Sequence, residues 1–473
     1  MAMTKLRQVR PAATPALVAH EAGSESAAQA GPQMEMVPPA PAALYYSSAV
    51  EGDLSRMLGV PHYSYRFAEL KFLRAFAARD MPLSKLQMPE YHSTADSLTN
   101  GVGTPVGSLV HLIFRSTEQI RLLKIGYNIC CFAWEFEVMK DATAPGEHPF
   151  LNQRRMLAMC DEVWVPCSYT RDVLARYGLH NVQVIPAPVA IPAAARMERY
   201  EAVATIGHVG VVPLITNFLL PRHENARACA AQAQSMLDWL APRLEGRRDP
   251  LVYLAVLNPE DFRKNLDALL RGFHYFQQAH EGVCLIVKVL TSTDRYTLEQ
   301  VISDVVPNKL ASGSVFNTEN IVFVNRFLSD EEMSALYSVA DHYLCTSVAE
   351  GQNLPLLEAM AHGTVPVSTS NTAMADYITP DNAFQIAERL VDNQSRHMAG
   401  VIAGRPFQIH TSSSRDVFAA LVQSQAASPA RRRKMAAACI ATVQAQFSPA
   451  AVWPRIAQRL AAIAQTPAAG ERG

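Results

Sequence analysis

Short apolar runs alternate with amphipathic stretches along most of the chain. Leu109–Phe114 (LVHLIF) and Leu251–Leu257 (LVYLAVL) are typical of buried strands, whereas residues 265–278 carry apolar positions at helical spacing. Strands that alternate with helices predict βαβ units on a parallel sheet. In the first half, the pattern predicts strands at residues 109–114, 128–133, 161–166 and 182–186, and helices at 65–79, 115–124 and 168–177.

The alternation restarts in the second half after a gap. It predicts strands at residues 251–257, 283–290, 321–324, 341–346 and 364–369, and helices at 265–278, 329–339 and 354–361. Residues 429–464 have helical spacing again. Two successive α/β sheets predict two Rossmann-like, doubly wound domains that face a cleft, with ligands at the carboxyl ends of the strands.

The predicted organisation has five parts. Residues 1–45 are rich in Ala and Pro and contain no Phe, Trp or Ile, so we expect a disordered leader. The other parts are an N-terminal domain at 46–198, an interdomain connection at 199–249 with a helix at 224–244, a C-terminal domain at 250–440, and a crossover helix and tail at 441–473. The length of 473 residues suits two or three domains.

Composition narrows the classes of protein. Lys and Arg number 42 against 43 Asp and Glu, and this balance argues against a dedicated nucleic-acid binder. The eight cysteines are scattered and form no CxxC pair, which indicates a reducing, cytoplasmic location. The best candidate for a membrane span is the uncharged stretch at residues 202–221. It is interrupted by His208, Gly210 and Pro213, so we favour a connection over a membrane span.

Residues 65–79 mix cations with aromatic residues at helical spacing. Such a helix could lie peripherally on an anionic membrane, but a helix that packs on a sheet has the same pattern, and we favour this second interpretation. The glycines of residues 101–107 follow no clear strand, so an ordinary loop is favoured there over a dinucleotide fingerprint.

Residues 347–368 (SVAEGQNLPLLEAMAHGTVPVS) contain the most informative motif. A predicted strand ends in a polar loop that begins with Glu350, and a helix begins near Leu354. The first amides of that helix have no partner within the helix and can bind an anion. Glu350 precedes this point and Glu358 lies just over one turn inside the helix. A capped helix with two solvated glutamates explains the same spacing.

Two adjacent cations, Arg263 and Lys264, follow the first strand of the second domain and precede a helix. At the carboxyl edge of the same sheet they could neutralise a phosphate group. No Asp-x-Asp sequence, a common short metal clamp for a nucleotide-sugar diphosphate, occurs in the chain. Amides, cations and carboxylates together suit a sugar that is bound through a diphosphate.

These residues resemble the retaining GT-B-fold glycosyltransferases whose signature is Glu-x7-Glu, family four or "glycosyl transferases group 1". Glu350 and Glu358 have that spacing, and the similarity continues through IVFVNRFLSDEEMSALYSVADHYL and RKNLDALLRGF. FAWEFE, DEVWVPCSYTRDVLARYG and VQVIPAPV resemble the acceptor domain of one branch. The tail FSPAAVWPRIAQRL resembles the closing helix, which crosses back onto the first domain.

The resemblance implies a hexosyltransferase-like enzyme that moves a sugar from a nucleotide-diphosphate sugar to a glycan or lipid-linked acceptor, in surface polysaccharide synthesis. It implies retained anomeric configuration, no cofactor and no bound metal. Glu350, Lys264 and Arg263 would be catalytic, and Glu135 would face the acceptor or be a buried structural carboxylate. The implied donor-binding residues are Glu358, Gly351, Asn353, Leu354, Arg326 and Phe327. Among them, Glu358 would bind the ribose hydroxyls, and the amides around Asn353 and Leu354 would hold the phosphate. The loop with Arg326 and Phe327 would pack against the base.

Two departures from the family pattern affect these roles. The family arginine lies several residues before the lysine, whereas Arg263 adjoins Lys264. The usual aromatic-Gly pair before the second helix is replaced by Gln352 and Asn353. The alternatives are a nucleotide-sugar epimerase or glucan synthase of the same fold, or a non-catalytic protein that binds nucleotide sugars.

Overall fold

The structure is a computed structural model. It describes residues 43–48, 63–92, 109–143, 146–192, 197–216, 224, 227–228, 231–247, 249–289, 316–393 and 407–465. All of these lie in the compact unit Pro39–Gly473. Most of the predicted leader and the whole glycine loop 101–107 fall outside the described residues.

A six-stranded sheet, parallel throughout, forms the centre of the first domain, and its strand order is β2-β1-β3-β4-β5-β6. Its strands are β1 (Ala43–Ser48), β2 (Ser84–Lys85), β3 (Leu109–Phe114), β4 (Tyr127–Cys131), β5 (Glu162–Val165) and β6 (Val182–Val184). Its helices are α1 (Tyr63–Ala77), α2 (Gln153–Ala158) and α3 (Ser168–Arg176). We call described residues 43–192 the first domain.

An eight-stranded sheet forms the centre of the second domain, in the order β14-β13-β12-β9-β10-β11-β7-β8. Its strands are β7 (Gly210–Thr216), β8 (Gln234–Ser235), β9 (Leu251–Leu257), β10 (Val283–Val289), β11 (Phe316–Val324), β12 (His342–Cys345), β13 (Val365–Ser368) and β14 (Phe384–Gln385). Pairs are parallel except β11 with β7 and β7 with β8. A separate ribbon pairs β15 (Arg389–Asp392) with β16 (Gln408–Thr411).

Helices cover both faces of this second sheet. They are α4 (Arg199–Ile206), α5 (Met236–Leu244), α6 (Leu266–Ala279), α7 (Asp330–Val339), α8 (Leu354–Ala361), α9 (Ser414–Ala426) and α10 (Pro429–Gln446). Every residue of β9 and β10 is buried, as expected for parallel strands between two helical layers. The prediction of an α/β fold with two Rossmann-like domains, the GT-B arrangement, is confirmed.

The last helix, α11 (Pro449–Ala464), packs on the first domain. Its buried stripe of Val452, Ile456, Leu460 and Ile463 has helical spacing and contacts a core that includes Phe72 of α1. Arg459 adds an ion pair with buried Glu162, where Nη2 donates to Oε2 over 2.6 Å. The chain therefore crosses back as the resemblance implies, but α10 continues to Gln446 and the crossing begins at Pro449 rather than at residue 441.

Three predicted elements need correction. The folded part begins at β1, which starts at Ala43 inside the predicted leader and buries Leu44 and Tyr45. The predicted helix at residues 115–124 is reduced to the short 3-10 turn Thr117–Gln119, because the Asn128 side chain accepts a hydrogen bond from the Leu123 amide and donates one to its carbonyl. A side chain thus satisfies the backbone groups that a helix would have used.

The predicted interdomain connection, residues 199–249, belongs to the second domain. Within it, β7 pairs with β11 and buries Val211 and Leu214. Pro213 hides this strand from the sequence pattern, and it is tolerated because the pairing of β11 with β7 shifts register between Thr318 and Val322. Of the predicted helix at residues 224–244, Glu224 and residues 227–228 are helical, and α5 forms the second part from Met236.

Residues Pro429–Ala464 are long and apolar enough to cross a membrane by length and composition alone. In the fold they form α10 and α11, and the buried residues of both helices pack in the domain cores. The cationic helix α1 also uses its apolar side internally, since Phe72 and Phe76 are buried. This favours the sheet-packing interpretation of residues 65–79.

Candidate active site

Lys264 and Glu350 meet at the carboxyl edge of the second sheet. Lys264 Nζ donates to Glu350 Oε1 over 2.5 Å, although 86 residues separate them in the chain. Lys264 follows β9 and Glu350 follows β12, and these strands are neighbours in the sheet. Parallel strands place their carboxyl ends at one edge, so the topology brings the two side chains together.

The backbone around Lys264 is fixed by local hydrogen bonds. Residues Phe262–Lys264 form a 3-10 turn that Asp261 caps, and Asn265 follows with φ of 49°. Thr346, at the end of β12, donates its hydroxyl hydrogen to the Lys264 carbonyl over 2.7 Å. Burial alone would lower the pKa of Lys264, but the charge of Glu350, the charge of Asp261 and the hydrogen bond to Glu350 together outweigh burial, and the pKa stands above its ordinary value. The ammonium is therefore held in its charged form.

Glu350 is 5% exposed and is held at several points. Its Oε1 also accepts a hydrogen bond from the Ser347 hydroxyl over 2.7 Å, and its amide donates to Thr372 Oγ1 over 2.8 Å. Among the described residues, none donates a hydrogen bond to its Oε2. One carboxylate oxygen is thus fixed by the protein and the other can accept a ligand hydroxyl.

Arg263 connects the two domains. Its guanidinium donates to both Asp261 oxygens, with the shortest contact 2.7 Å from Nη2 to Oδ2, and its Nη1 donates to Glu135 Oε1 over 2.6 Å. Burial would lower the pKa of Arg263, but Glu135 and Asp261 raise it well above the ordinary range. Glu135 lies four residues beyond the end of β4, on the first-domain side of the cleft. It is therefore paired rather than solvated.

The loop before α8 is pressed against the first domain. The Gln352 side chain forms two hydrogen bonds with the Ala187 backbone, of 3.0 and 2.8 Å. A Cβ added to Gly351 would lie 3.0 Å from the Ala133 Cβ and 3.3 Å from Glu135 Oε1. The residue next to Glu350 must therefore be small while the two domains keep this approach.

The amino end of α8 offers fewer amides than the motif suggests. Asn353 adopts φ of 61° and its Oδ1 accepts the Leu356 amide hydrogen over 3.4 Å, while Pro355 has no amide hydrogen. The Leu354 amide is the one that remains for an anion. The Leu354 side chain packs against the cores of both domains, so this amide lies at the boundary between them.

Glu358 is ion-paired across the cleft. Its Oε2 accepts a hydrogen bond from the buried Tyr337 hydroxyl over 3.0 Å, and its Oε1 accepts one from Lys71 Nζ of α1 over 2.5 Å. Burial, followed by the charge of Glu358, raises the pKa of Tyr337 well above its ordinary range, so the phenol stays a donor. Both oxygens expected to hold the ribose already have partners.

Arg326 and Phe327, predicted to pack against the nucleotide base, follow β11. The Arg326 guanidinium pairs with Glu332, which also completes the capping box of α7 with Ser329. Phe327 is 40% exposed. The aromatic ring is therefore accessible, while the arginine is held against the start of α7.

A cavity lies between these groups. It is lined by Lys264, Glu350, Asn353, Tyr343 and Cys345, together with residues of β9 and β12. Among the described residues, no group of three or more His, Cys, Asp or Glu side chains could hold a metal ion. The charged groups of the cavity are thus a lysine and a carboxylate.

The sequence did not identify Lys71 as a site residue, nor Ser347, Thr372 and Tyr337, which hold the glutamates. Lys71 lies about 290 residues from Glu358 along the chain, and no local motif connects them. Gln352 was noted only as a departure from the family pattern. Its bidentate pairing with a backbone on the other domain requires the tertiary structure.

Comparisons with known proteins identify a family and solved structures that the chain resembles. Residues 251–402 match the family model "Glycosyl transferases group 1". The serotype-specific mannosyltransferase WbdA of Escherichia coli is 24% identical over 201 residues, which are 40% of this chain. The chain spans less than a quarter of that relative's length, since the match covers 23% of it.

Solved structures share the fold at low sequence identity. Sucrose-phosphate synthase of Thermosynechococcus elongatus superposes with a TM-score of 0.52 at 14% identity, over 89% of this chain and 95% of its own. The UDP-forming trehalose-phosphate synthase of Burkholderia xenovorans gives 0.50 at 12% identity, over 86% of each chain. Residues 251–402 therefore resemble the glycosyl transferases group 1 family, within a chain that shares the GT-B fold.

Proposed function

We propose that the chain is a glycosyltransferase that transfers a sugar from a nucleotide-diphosphate sugar to a hydroxyl group of a glycan or lipid-linked acceptor. The ion pair between Lys264 and Glu350 carries the proposal, because it places a cation and a partly unoccupied carboxylate at the carboxyl edge of the family domain. The Leu354 amide and Glu358 lie on the adjoining helix α8.

The proposed chemistry breaks the bond between the anomeric carbon and the leaving diphosphate oxygen. It forms a bond between that carbon and the acceptor hydroxyl oxygen, whose proton passes to the leaving phosphate. Negative charge grows on the leaving phosphate, and Lys264, kept protonated by Glu350, stabilises it. Glu350 Oε2 accepts a hydrogen bond from a hydroxyl group of the donor sugar, and the carboxylate stabilises positive charge near the anomeric carbon. Glu358 accepts hydrogen bonds from the ribose hydroxyls. Glu135 orients the acceptor once its ion pair with Arg263 has opened.

The proposal includes retained anomeric configuration, independence of metal ions, a cytoplasmic location and a role in surface polysaccharide synthesis. The family resemblance supports retention. The relative named a serotype-specific mannosyltransferase supports the polysaccharide role and makes nucleotide-linked mannose the first donor to test. Peripheral membrane contact would serve a lipid-linked acceptor, and vesicle flotation with anionic lipid at low salt tests it.

Release of nucleoside diphosphate from a panel of nucleotide sugars, with EDTA present, tests the activity. Glu350→Gln and Lys264→Met should each reduce turnover by roughly 10²-fold or more. Asp267→Asn is the matched control. It breaks a partly exposed ion pair with Arg271 on α6 and should leave turnover unchanged. Unchanged turnover in both site variants would contradict the proposed roles.

Product analysis separates the remaining alternatives. NMR of the purified product should show the anomeric configuration of the donor, and inversion would contradict retention. Conversion of the donor sugar in the absence of any acceptor would indicate an epimerase instead. Activity that EDTA abolishes and a divalent cation restores would contradict metal independence.

A further inference from the structure

Lys71 is the one first-domain cation that contacts a predicted donor-binding carboxylate among the described residues. It lies on α1, its side chain is 15% exposed, and its ammonium donates to Glu358 Oε1. The buried Tyr337 donates its hydroxyl hydrogen to the other oxygen, Oε2. The two hydroxyls of a ribose that binds Glu358 compete with Lys71 for Oε1, since Tyr337 is held in the core.

The charges of the cleft indicate where the displaced ammonium goes. Three cations, Lys71, Arg263 and Lys264, pair with four carboxylates, Glu135, Asp261, Glu350 and Glu358. This cluster has a net negative charge before any ligand enters. A nucleoside-diphosphate donor adds the charges of its two phosphates, so the bound state needs a cation that is not committed to a carboxylate.

Arg263 and Lys264 are poorly suited to supply that charge alone. Arg263 is shared between Asp261 and Glu135, and Lys264 is fixed to Glu350. In the described part of the chain Lys71 pairs with Glu358, so it loses this partner when ribose takes Glu358. The phosphates follow the ribose after a single methylene group. A flexible lysine side chain released at this point lies next to the phosphates.

We propose that Lys71 is a phosphate-binding residue of the donor site, supplied by the first domain. Glu358 holds the ammonium in the ligand-free protein, and the ribose hydroxyls release it to the diphosphate. The ligand class is a nucleoside diphosphate or its sugar ester, and the inference rests on the proposed function. Donor binding would then require both domains, because Lys71 lies on the first domain and Glu358 on the second.

Calorimetric titration with nucleosides and nucleoside diphosphates tests this role. Uridine with UDP and guanosine with GDP are the probes, and the measured quantity is the ratio of the nucleoside Kd to the nucleoside diphosphate Kd. Lys71→Met should lower this ratio about tenfold, which is about 1.4 kcal/mol. Nucleoside affinity itself should be kept or increased, because Glu358 is no longer occupied.

Two further variants act as controls. Lys71→Arg should keep most of the ratio, since it retains a cation. Arg74→Gln, which removes the exposed pair with Asp330 one turn along α1, should leave the ratio unchanged. In a Glu358→Gln background, Lys71→Met should still lower the ratio, which separates direct phosphate contact from unscreened repulsion by Glu358. Thermal melting confirms that each variant is folded.

The outcomes are distinct. A ratio unchanged by Lys71→Met, with both ligands bound equally or both more tightly, would mean that Lys71 only competes for Glu358, and the inference would be wrong. An equal loss in Arg74→Gln would assign the effect to general surface charge and would also overturn it. Failure of the wild-type protein to bind any nucleoside or nucleoside diphosphate would instead contradict the proposed function.

Discussion

A methyl group at Gly351 tests whether the close approach of the domains is needed for activity. An added Cβ would lie 3.0 Å from the Ala133 Cβ and 3.3 Å from Glu135 Oε1, both on the first domain. Gly351 is not among the glycines with positive φ, so alanine can adopt its backbone conformation. The substitution Gly351→Ala therefore acts through contact across the cleft and not through backbone strain.

The size of the effect follows from that contact. Non-bonded carbon atoms prefer about 3.5–4.0 Å, so the loop and the first domain must separate by roughly 0.5–1 Å. Overpacking of this kind costs about 1–3 kcal/mol of stability. A displacement of about 1 Å at reacting groups can reduce rates about 10²-fold, so turnover should fall between tenfold and a hundredfold while the protein remains folded.

The assay compares kcat and the melting temperature across a small set of variants. Gly210→Ala is the matched control, because nothing lies within 4 Å of a Cβ added there, and its turnover should stay unchanged. Ala133→Gly removes the opposing methyl group and should restore most of the activity when combined with Gly351→Ala. Full activity of Gly351→Ala alone, or no recovery in the double variant, would refute the reasoning.

Three further predictions concern stability. Ile456→Ala in the crossover helix α11 should lower the free energy of unfolding by about 2–5 kcal/mol in urea denaturation, because Ile456 is fully buried against the first domain. Ser329→Ala should cost about 1 kcal/mol, since it removes the capping box of α7. Burial lowers the pKa of His111 to about 4, so the unfolded chain binds the proton first as the pH falls. Stability should then decrease by about 3 kcal/mol between pH 6.5 and 4, and His111→Gln should not show this part of the decrease.

Strands and helices whose apolar residues follow a clear local pattern were predictable from the sequence. β3, β9 and α8 lie where the pattern places them, because continuous apolar runs and a proline in the first turn leave few alternatives. The pattern failed where a distant partner decides the conformation. β7 contains a glycine and a proline and is a strand only because β11 pairs with it. Residues 115–124 are not an α-helix because the Asn128 side chain binds the backbone of Leu123.

The site divides in the same way. The sequence indicated that Lys264 and Glu350 follow strands of one sheet, and parallel topology makes them neighbours. It could not indicate that Arg263 bridges to Glu135, or that Glu358 accepts a hydrogen bond from a lysine in the other domain. Those contacts depend on how two separately folded sheets meet. Pairings between domains leave no spacing in the sequence, because each partner obeys the pattern of its own domain.

The backbone provides an independent argument that this crevice is functional. Five described residues other than glycine have positive φ, and three of them border the site: Asn265 after Lys264, Asn353 before α8, and Thr372, which accepts the Glu350 amide hydrogen. Asparagine tolerates this conformation, but a β-branched threonine with φ of 46° is strained. Strain of this kind persists where the surrounding structure imposes it. In this conformation the Thr372 hydroxyl accepts the Glu350 amide hydrogen. The strained backbone of Thr372 is thus part of the loop that holds Glu350 beside Lys264, the proposed catalytic pair.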